Sequence, residues 1–555
     1  IKIIWINVKM NEKKIKLFFE KKVGTMISNQ YLMLVILIIS AFVIRIYYYQ
    51  PEIPFALDSL VYFIYSFDIA VQGNLPQGYS PANNGWPAFV GIFFSLFHFN
   101  EPIQYMQLQK IISIIVSTIT IIPIYILSRN FFKKEFSLIA ASIFVFEPRI
   151  ILNSIEGVTE PLFIFLTVTT LVMFLSQNKK IMYGSFGVIS LATMVRGEGI
   201  MLFLIISIIF FIRYRQSWST IPKYIPAALI FMLILLPMST YRDEVHGNDA
   251  VFGRIIDVIN VHILTPSEDD ENWNDLSEPE QERIKDGSYD GSTLIAAGIE
   301  NYFKFFIWIL IPIFILVFPI GIFLIFKNFN YKKLTIIFAM VGLSVPIFYA
   351  YSLSLLDTRY LYVLYPMISI ISVFTVERYI QKNNYKNIIL VIILIGIIIT
   401  SISFVEYKKI DAEHEKEAFE VAKYIVSHAS AINYYSPESQ YIKVAEVFRD
   451  WPSVPIHTSD GHFEIKMSRV DANQYDNLDQ LIINSKNIGL SHLVIDTDSN
   501  MPNFLIEVFN HEKKYPYLIK EYDSKEKGMN YHVKIFKINY QEFDNYQFKE
   551  IKIQQ

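Results

Sequence analysis

Eight ionisable residues interrupt long apolar stretches of this chain: Asp58, Arg149, Glu156, Glu160, Arg196, Glu198, Asp357 and Arg359. Charged side chains at membrane depth are costly, and where they occur they commonly mark functional sites. Carboxylates mixed with guanidiniums suit a group-transfer reaction. A carboxylate can take the proton of an acceptor hydroxyl. An arginine, always charged, grips phosphate oxygens with a planar fork.

Each of these residues also has a plain structural reading. Asp58 precedes "SLVYFIY" and is placed to cap a helix by accepting from the Leu60 or Val61 N–H. Asp68, further along that helix, reads as solvated. Glu160 stands before Pro161, where the helix dipole favours a carboxylate and proline suits the first turn. Glu156 reads equally as an exposed loop residue. Arg196 can anchor a short span to headgroups with Glu198 as its neutralising neighbour. Arg359 can pair with Asp357. Tyr62 and Tyr47–Tyr49 fit an interfacial aromatic belt. The ten histidines show no metal-ligand spacing, and His246 and His262 fall in one large loop. A divalent cation held by carboxylates stays open, although no Asp-x-Asp stands in the first loop. "DTD" at 496–498 reads as a turn after a strand.

The elements that must position these residues are apolar. Of 555 residues, 53% are hydrophobic, only 18% are charged and none is cysteine, which excludes disulfides and thiolate chemistry. Eleven candidate spans fall near 31–49, 105–127, 136–152, 159–176, 183–196, 199–212, 225–240, 303–326, 334–351, 360–376 and 388–404. The first is too long for a cleaved signal peptide and reads as a retained anchor. Short basic turns at 129–136, 177–180, 213–223, 327–333 and 377–386 all fall on the side of the Lys-rich segment 1–30. The positive-inside rule makes that side cytoplasmic. The other side receives a first outer loop, 50–104, with interfacial helices, an acidic loop, 241–302, and a tail, 405–555. The tail mixes a helical pattern around Ala418–Ile425 with strand-like "HLVID" and "YHVKIFKIN", which predicts a compact α/β domain. The expected fold is therefore a polytopic α-helical membrane protein with about eleven transmembrane helices and an outer C-terminal α/β domain. The plasma membrane is its expected location. No repeat or matched pair of broken helices points to a secondary transporter. A lipid or small-molecule transporter or flippase remains the rival class.

The ordered segments resemble the GT-C glycosyltransferases, in particular the protein O-mannosyltransferase and aminoarabinose-transferase-like branch. "DSLVYFIYSFDIAVQGNLP" is similar to that family's first outer loop: an acidic residue, a tyrosine four positions on, and a helix ending in glycine, here Asp58, Tyr62 and Gly73. "GWPAFVGIFFSLF", "EPRIILNSIEGVTEPLF", "TMVRGEG" and "DTRYLYVLYP" follow in the family's order over residues 30–405. The resemblance implies a polyprenyl-phosphate (such as dolichyl-phosphate) sugar donor and an inverting transfer on the outer face. The acceptor would be a protein or a glycolipid, and no nucleic acid partner is implied. It carries Asp58 over as the catalytic base and Arg359 and Arg196 as donor-phosphate contacts. By their place in the outer segments, Glu160 and Glu156 are further candidate acidic site residues, and Arg149 and Tyr62 further candidate substrate contacts. Ser59 stands where many protein mannosyltransferases carry a second acid, which leaves mannose and a protein acceptor open. A polymerase or ligase using a diphosphate-linked glycan is the rival within the class.

Overall fold

A computed structural model describes residues 29–55, 57–76, 84–99, 102–214, 220–247, 291–327, 329–381, 383–408, 412–435, 468–496 and 501–554. The Lys-rich start, His262 and the acidic run at 267–282 lie outside them. The chain divides into two compact units. One comprises residues up to Tyr49, Leu75–Val90 and Gln109–Tyr407; the other comprises Gln50–Asn74, Gly91–Leu108 and the chain from Lys408 on.

The first unit is a helical membrane body. Six helices are long and apolar enough to cross a bilayer: Gln30–Tyr48, Pro102–Ser128, Thr220–His246, Tyr331–Ser352, Thr358–Ile380 and Lys386–Lys408. A seventh results if Lys134–Val145 and Pro148–Ile155, bent by 53°, form one span. Against the about eleven spans expected, six or seven pass among the described residues by length and composition alone. The other expected spans fall on shorter or divided apolar helices. Glu160–Phe174 and Gly199–Arg213 have 15 residues each, roughly 22 Å of helix against a hydrocarbon core of about 30 Å. The expected span 303–326 is split into Gly291–Leu310 and Val317–Ile325. Hydropathy cannot separate a span from a short helix packed inside a helical body, and most of Glu160–Phe174 is buried. The expected loop 241–302 is also narrower, because Thr220–His246 and Gly291–Leu310 run into it from both ends. Buried Arg45 ties three helices together, donating to the Ala41 carbonyl, Ser117 Oγ and the Val145 carbonyl, each at 3.1 Å.

In the second unit, helix Leu57–Gln72 ends at Gly73, whose φ of +70° suits a residue without Cβ. Phe63 and Phe67 on this helix pack edge-on to Phe94 and Tyr105. The tail forms the expected α/β domain around a five-stranded sheet: β1 Ala431–Tyr434, β2 Ser468–Asp471, β3 His492–Ile495, β4 Leu518–Asp523 and β5 Lys534–Ile538. The order is β2-β1-β3-β5-β4, with β1 parallel to β2 and β3, and β5 antiparallel to β3 and β4. Helix Ala412–His428 buries Ala418, Val421, Ala422 and Ile425 with Ile432 and Ile535 of the sheet. Leu478–Ser485 and Asn503–Asn510 bury Leu481 and Leu505 in a second cluster with Leu493 and Phe536. Ile103 packs into the first cluster. Much of the segment 50–108 therefore groups with the tail rather than with the helical body.

Candidate functional site

Two short interruptions between helices build the site in the helical unit. The first follows Pro148–Ile155. Glu147 sits just before that helix and caps it, accepting from the Arg149 and Ile150 N–H groups at 2.6 and 3.0 Å. The chain then turns through Gly157, at φ +74°, and enters Glu160–Phe174 with Glu160 in the first turn. The second interruption is the link Arg196-Gly197-Glu198. Helix Lys179–Val195 stops there because Arg196 is extended, at φ −149°, and the next helix begins at Gly199. A Cβ on Gly199 would come within 2.7 Å of the Thr193 backbone nitrogen, so only glycine permits so tight a restart.

Across these links Arg196 Nη1 donates to Glu160 Oε1 at 2.6 Å, and Nη2 donates to Glu198 Oε1 at 2.8 Å. Nη1 also approaches Thr159 Oγ1 at 3.3 Å. The rings of Phe163 and Tyr360 each lie 5.9 Å from the guanidinium carbon. The second Glu160 oxygen, Oε2, is buried with no hydrogen-bond partner among the described residues. Arg359 enters from the short 3-10 helix Thr358–Leu364, whose cap Asp357 accepts its N–H at 2.8 Å and its Nε–H at 2.6 Å. Glu160, Arg196, Glu198, Arg359 and Tyr360 line one small cleft with Phe163 and Ile347. Two arginines and two carboxylates line it, and a third carboxylate, Asp357, pairs with Arg359. The arginines are held in place by ion pairs whose oxygens a phosphate could replace.

The expected site residues do not all come together. Glu160, Arg196 and Arg359 share this cleft. Arg149 does not join them. Its guanidinium is buried and donates to Glu147 Oε1 at 3.0 Å, the Ile311 carbonyl at 2.7 Å and the Trp308 carbonyl at 3.0 Å, with Phe404 stacked 4.9 Å away. With its donors committed inside the protein it is a strut, and the site omits it. Glu156 is exposed at the C-terminal end of Pro148–Ile155. Asp58 belongs to the second unit, exposed in the first turn of Leu57–Gln72, with half-buried Tyr62 one turn on. It lies inside the helix rather than at the cap. Asp68, expected in solvent, is fully buried, in a turn where Tyr65, Ser66 and Phe67 are buried too. Sequence reasoning missed Glu147, although an acid before proline at a helix start is a capping signal. It also missed Gln109, which lies in no quoted segment, and gave no role to Trp86, although that residue stands in "GWPAFVGIFFSLF". Among the described residues no three histidine or acidic side chains gather closely enough to hold a metal ion, so no step is routed through one.

The architecture, a helical membrane body followed by a C-terminal α/β domain, is a fold shared with solved membrane glycosyltransferases. Residues 85–241 match the dolichyl-phosphate-mannose-protein mannosyltransferase family. ArnT from Cupriavidus metallidurans, solved bound to undecaprenyl phosphate, shares the fold at a TM-score of 0.57 and 9% identity, over 91% of this chain and 97% of that one. The Archaeoglobus fulgidus oligosaccharyltransferase is similar in its complex with zinc and sulfate, at a TM-score of 0.52 and 13% identity, over 86% and 69% of the two chains. Its apo form gives 0.53 and 12%, over 88% and 70%. No curated protein sequence matches the chain significantly.

Proposed function

We propose that the chain is an integral-membrane glycosyltransferase that moves a sugar from a polyprenyl-phosphate donor to a hydroxyl acceptor, protein or glycolipid, on the outer face of the cell membrane. The observation that carries this reading is the pairing of Arg196 and Arg359 in one cleft of a fold shared with ArnT, which was solved bound to undecaprenyl phosphate. Arg196 and Arg359 take the role of donor-phosphate contacts, exchanging part of their carboxylate pairing for phosphate oxygens. Glu160 orients Arg196. Asp58, by the resemblance of its loop, takes the role of general base. The acceptor oxygen bonds to the anomeric carbon as its proton passes to Asp58. The bond from that carbon to the phosphate oxygen breaks, and polyprenyl phosphate leaves with the electron pair. A single displacement of this kind inverts the anomeric centre. With all eleven expected spans crossing, the five basic turns share one side, which supports a cytoplasmic N-terminus and an outer C-terminal domain.

The test is incubation of membranes holding the chain with radiolabelled polyprenyl-phosphate sugars, following label into protein and glycolipid. Transfer that disappears in Asp58→Asn, with expression and thermal unfolding unchanged, supports the reading. Normal transfer by that variant removes Asp58 as the base. Movement of labelled lipid across proteoliposomes with no chemistry would replace the whole reading with transport.

A further inference from the structure

We propose that Gly85, Trp86 and Gln109 form one positioning device that fixes the link carrying Glu160 against the link carrying Arg196; its catalytic consequence rests on the function proposed above. The carbonyl of Gly157 accepts two hydrogen bonds, from Trp86 Nε1 at 3.0 Å and from Gln109 Nε2 at 2.7 Å. Both donor residues are fully buried. Gly157 adopts φ +74° and stands three residues before Glu160. Its carbonyl is thus the pin that sets where the next helix starts. One residue before Trp86, Gly85 lies against the last turn of the helix that runs into the other link. A Cβ there would fall 2.6 Å from the carbonyl carbon and oxygen of Met194 and from the nitrogen of Val195. Arg196 is the next residue. One dipeptide therefore contacts both interruptions, through a side chain on one and bare backbone on the other.

Packing alone does not account for the residue types. A phenylalanine and a leucine would fill similar space without polar atoms to satisfy. Gln109 instead leaves its Oε1 buried with no hydrogen-bond partner among the described residues, a desolvation cost that an apolar side chain avoids. A glutamine kept at that cost, with its one bond on the Gly157 carbonyl, points to geometry rather than stability. What the geometry serves is the 2.6 Å contact of Arg196 with Glu160, which a shift of about 1 Å would take out of hydrogen-bond range.

The test uses the full chain in nanodiscs, comparing wild type with Gln109→Leu, Trp86→Phe and Gly85→Ala. Amide hydrogen exchange over 156–160 and 194–198, thermal unfolding, and initial rates against donor concentration are measured for each. Gln109→Leu is expected to keep or raise the unfolding temperature while both links exchange faster. Its donor KM should rise about tenfold with kcat within about twofold, as misplaced binding groups act. In an Arg196→Gln background the same substitution should change KM less than about twofold, since coupled residues are non-additive. A lower unfolding temperature with link exchange unchanged would make the contacts ordinary packing and overturn the proposal. Faster exchange at 156–160 alone would overturn the single device. If wild type transfers from no polyprenyl-phosphate sugar, the proposed function fails, and the exchange measurements alone decide the positioning device.

Discussion

Arg196 meets Glu160 at 2.6 Å with both side chains nine-tenths or so buried, and a second carboxylate, Glu198, takes the other side of the guanidinium at 2.8 Å. The cation is therefore pre-positioned but not electrostatically spare. Under the proposed function, a donor phosphate entering the cleft would compete with carboxylates that already hold the fork. Binding would then be an exchange of partners, its affinity set by how firmly Glu160 and Glu198 keep their grip.

Arg196→Gln should unfold more readily than wild type, because it strands the buried Glu160 carboxylate. Loss of one partner from a buried pair costs about 3 kcal/mol. The double variant Arg196→Gln/Glu160→Gln should recover most of that stability, while its donor KM stays as high as in Arg196→Gln. Thermal unfolding in detergent beside a transfer assay checks both halves. Equal instability in the single and double variants would show the pair to be energetically idle.

Glu147 and Arg149 should behave in the opposite manner. Glu147 caps a helix and holds buried Arg149, which in turn ties the carbonyls of Trp308 and Ile311. Glu147→Ala loses the cap and leaves a cation without its counter-charge, a loss of about 3 kcal/mol. Donor KM per folded molecule should stay near wild type. A selective rise in KM with normal unfolding would return Arg149 to the donor site.

The contrast between Arg149 and Arg196 shows how far the sequence could be read. Both are arginines between apolar runs, each with an acid two residues away. What separates them is the third dimension: Arg149 finds two carbonyls of a distant helix end, whereas Arg196 finds a cleft. Side-chain periodicity carries no record of such long-range partners. The tail was legible because β3 and β5 and the helices beside them have apolar faces matched to their periods. The span count was less so, since Glu160–Phe174 is as apolar as a span yet only 15 residues long. Asp68 misled for a related reason. Polarity suggested solvent, and packing around Tyr65 and Phe67 enclosed it.

The C-terminal domain should weaken as pH falls. His492 on β3 is buried, with Nε2 3.2 Å from Glu521 Oε2 and Nδ1 2.9 Å from Ser491 Oγ. Burial lowers its pKa below the ordinary value despite the pull of Glu521, and Lys537 and His428 act in the same direction as burial. The unfolded chain then takes up the proton first. Stability is full above the unfolded pKa, about 6.5, and is lost as pH falls through it. Amide exchange of β3 and β5 in the full chain, corrected for intrinsic rates, should show less protection at about pH 5.5 than at about pH 7.5. His492→Gln should flatten that difference. A slope unchanged by the substitution would assign the pH response to other groups.

The absence of cysteine allows a direct test of sidedness. Asn510 is exposed at the end of a helix in the C-terminal domain, and Gln177 is exposed in a basic turn of the helical unit. If all eleven expected spans cross, the charge pattern predicts the turn inside the cell and the domain outside. Asn510→Cys should therefore react with a membrane-impermeant maleimide on intact cells. Gln177→Cys should react only after permeabilisation, and wild type should not react under either condition. Reversed labelling would turn the protein over in the membrane and move the proposed chemistry to the cytoplasmic face. Labelling of both positions on intact cells would mean that the short helices leave the basic turns on different sides, and the positive-inside reading would fail for this chain.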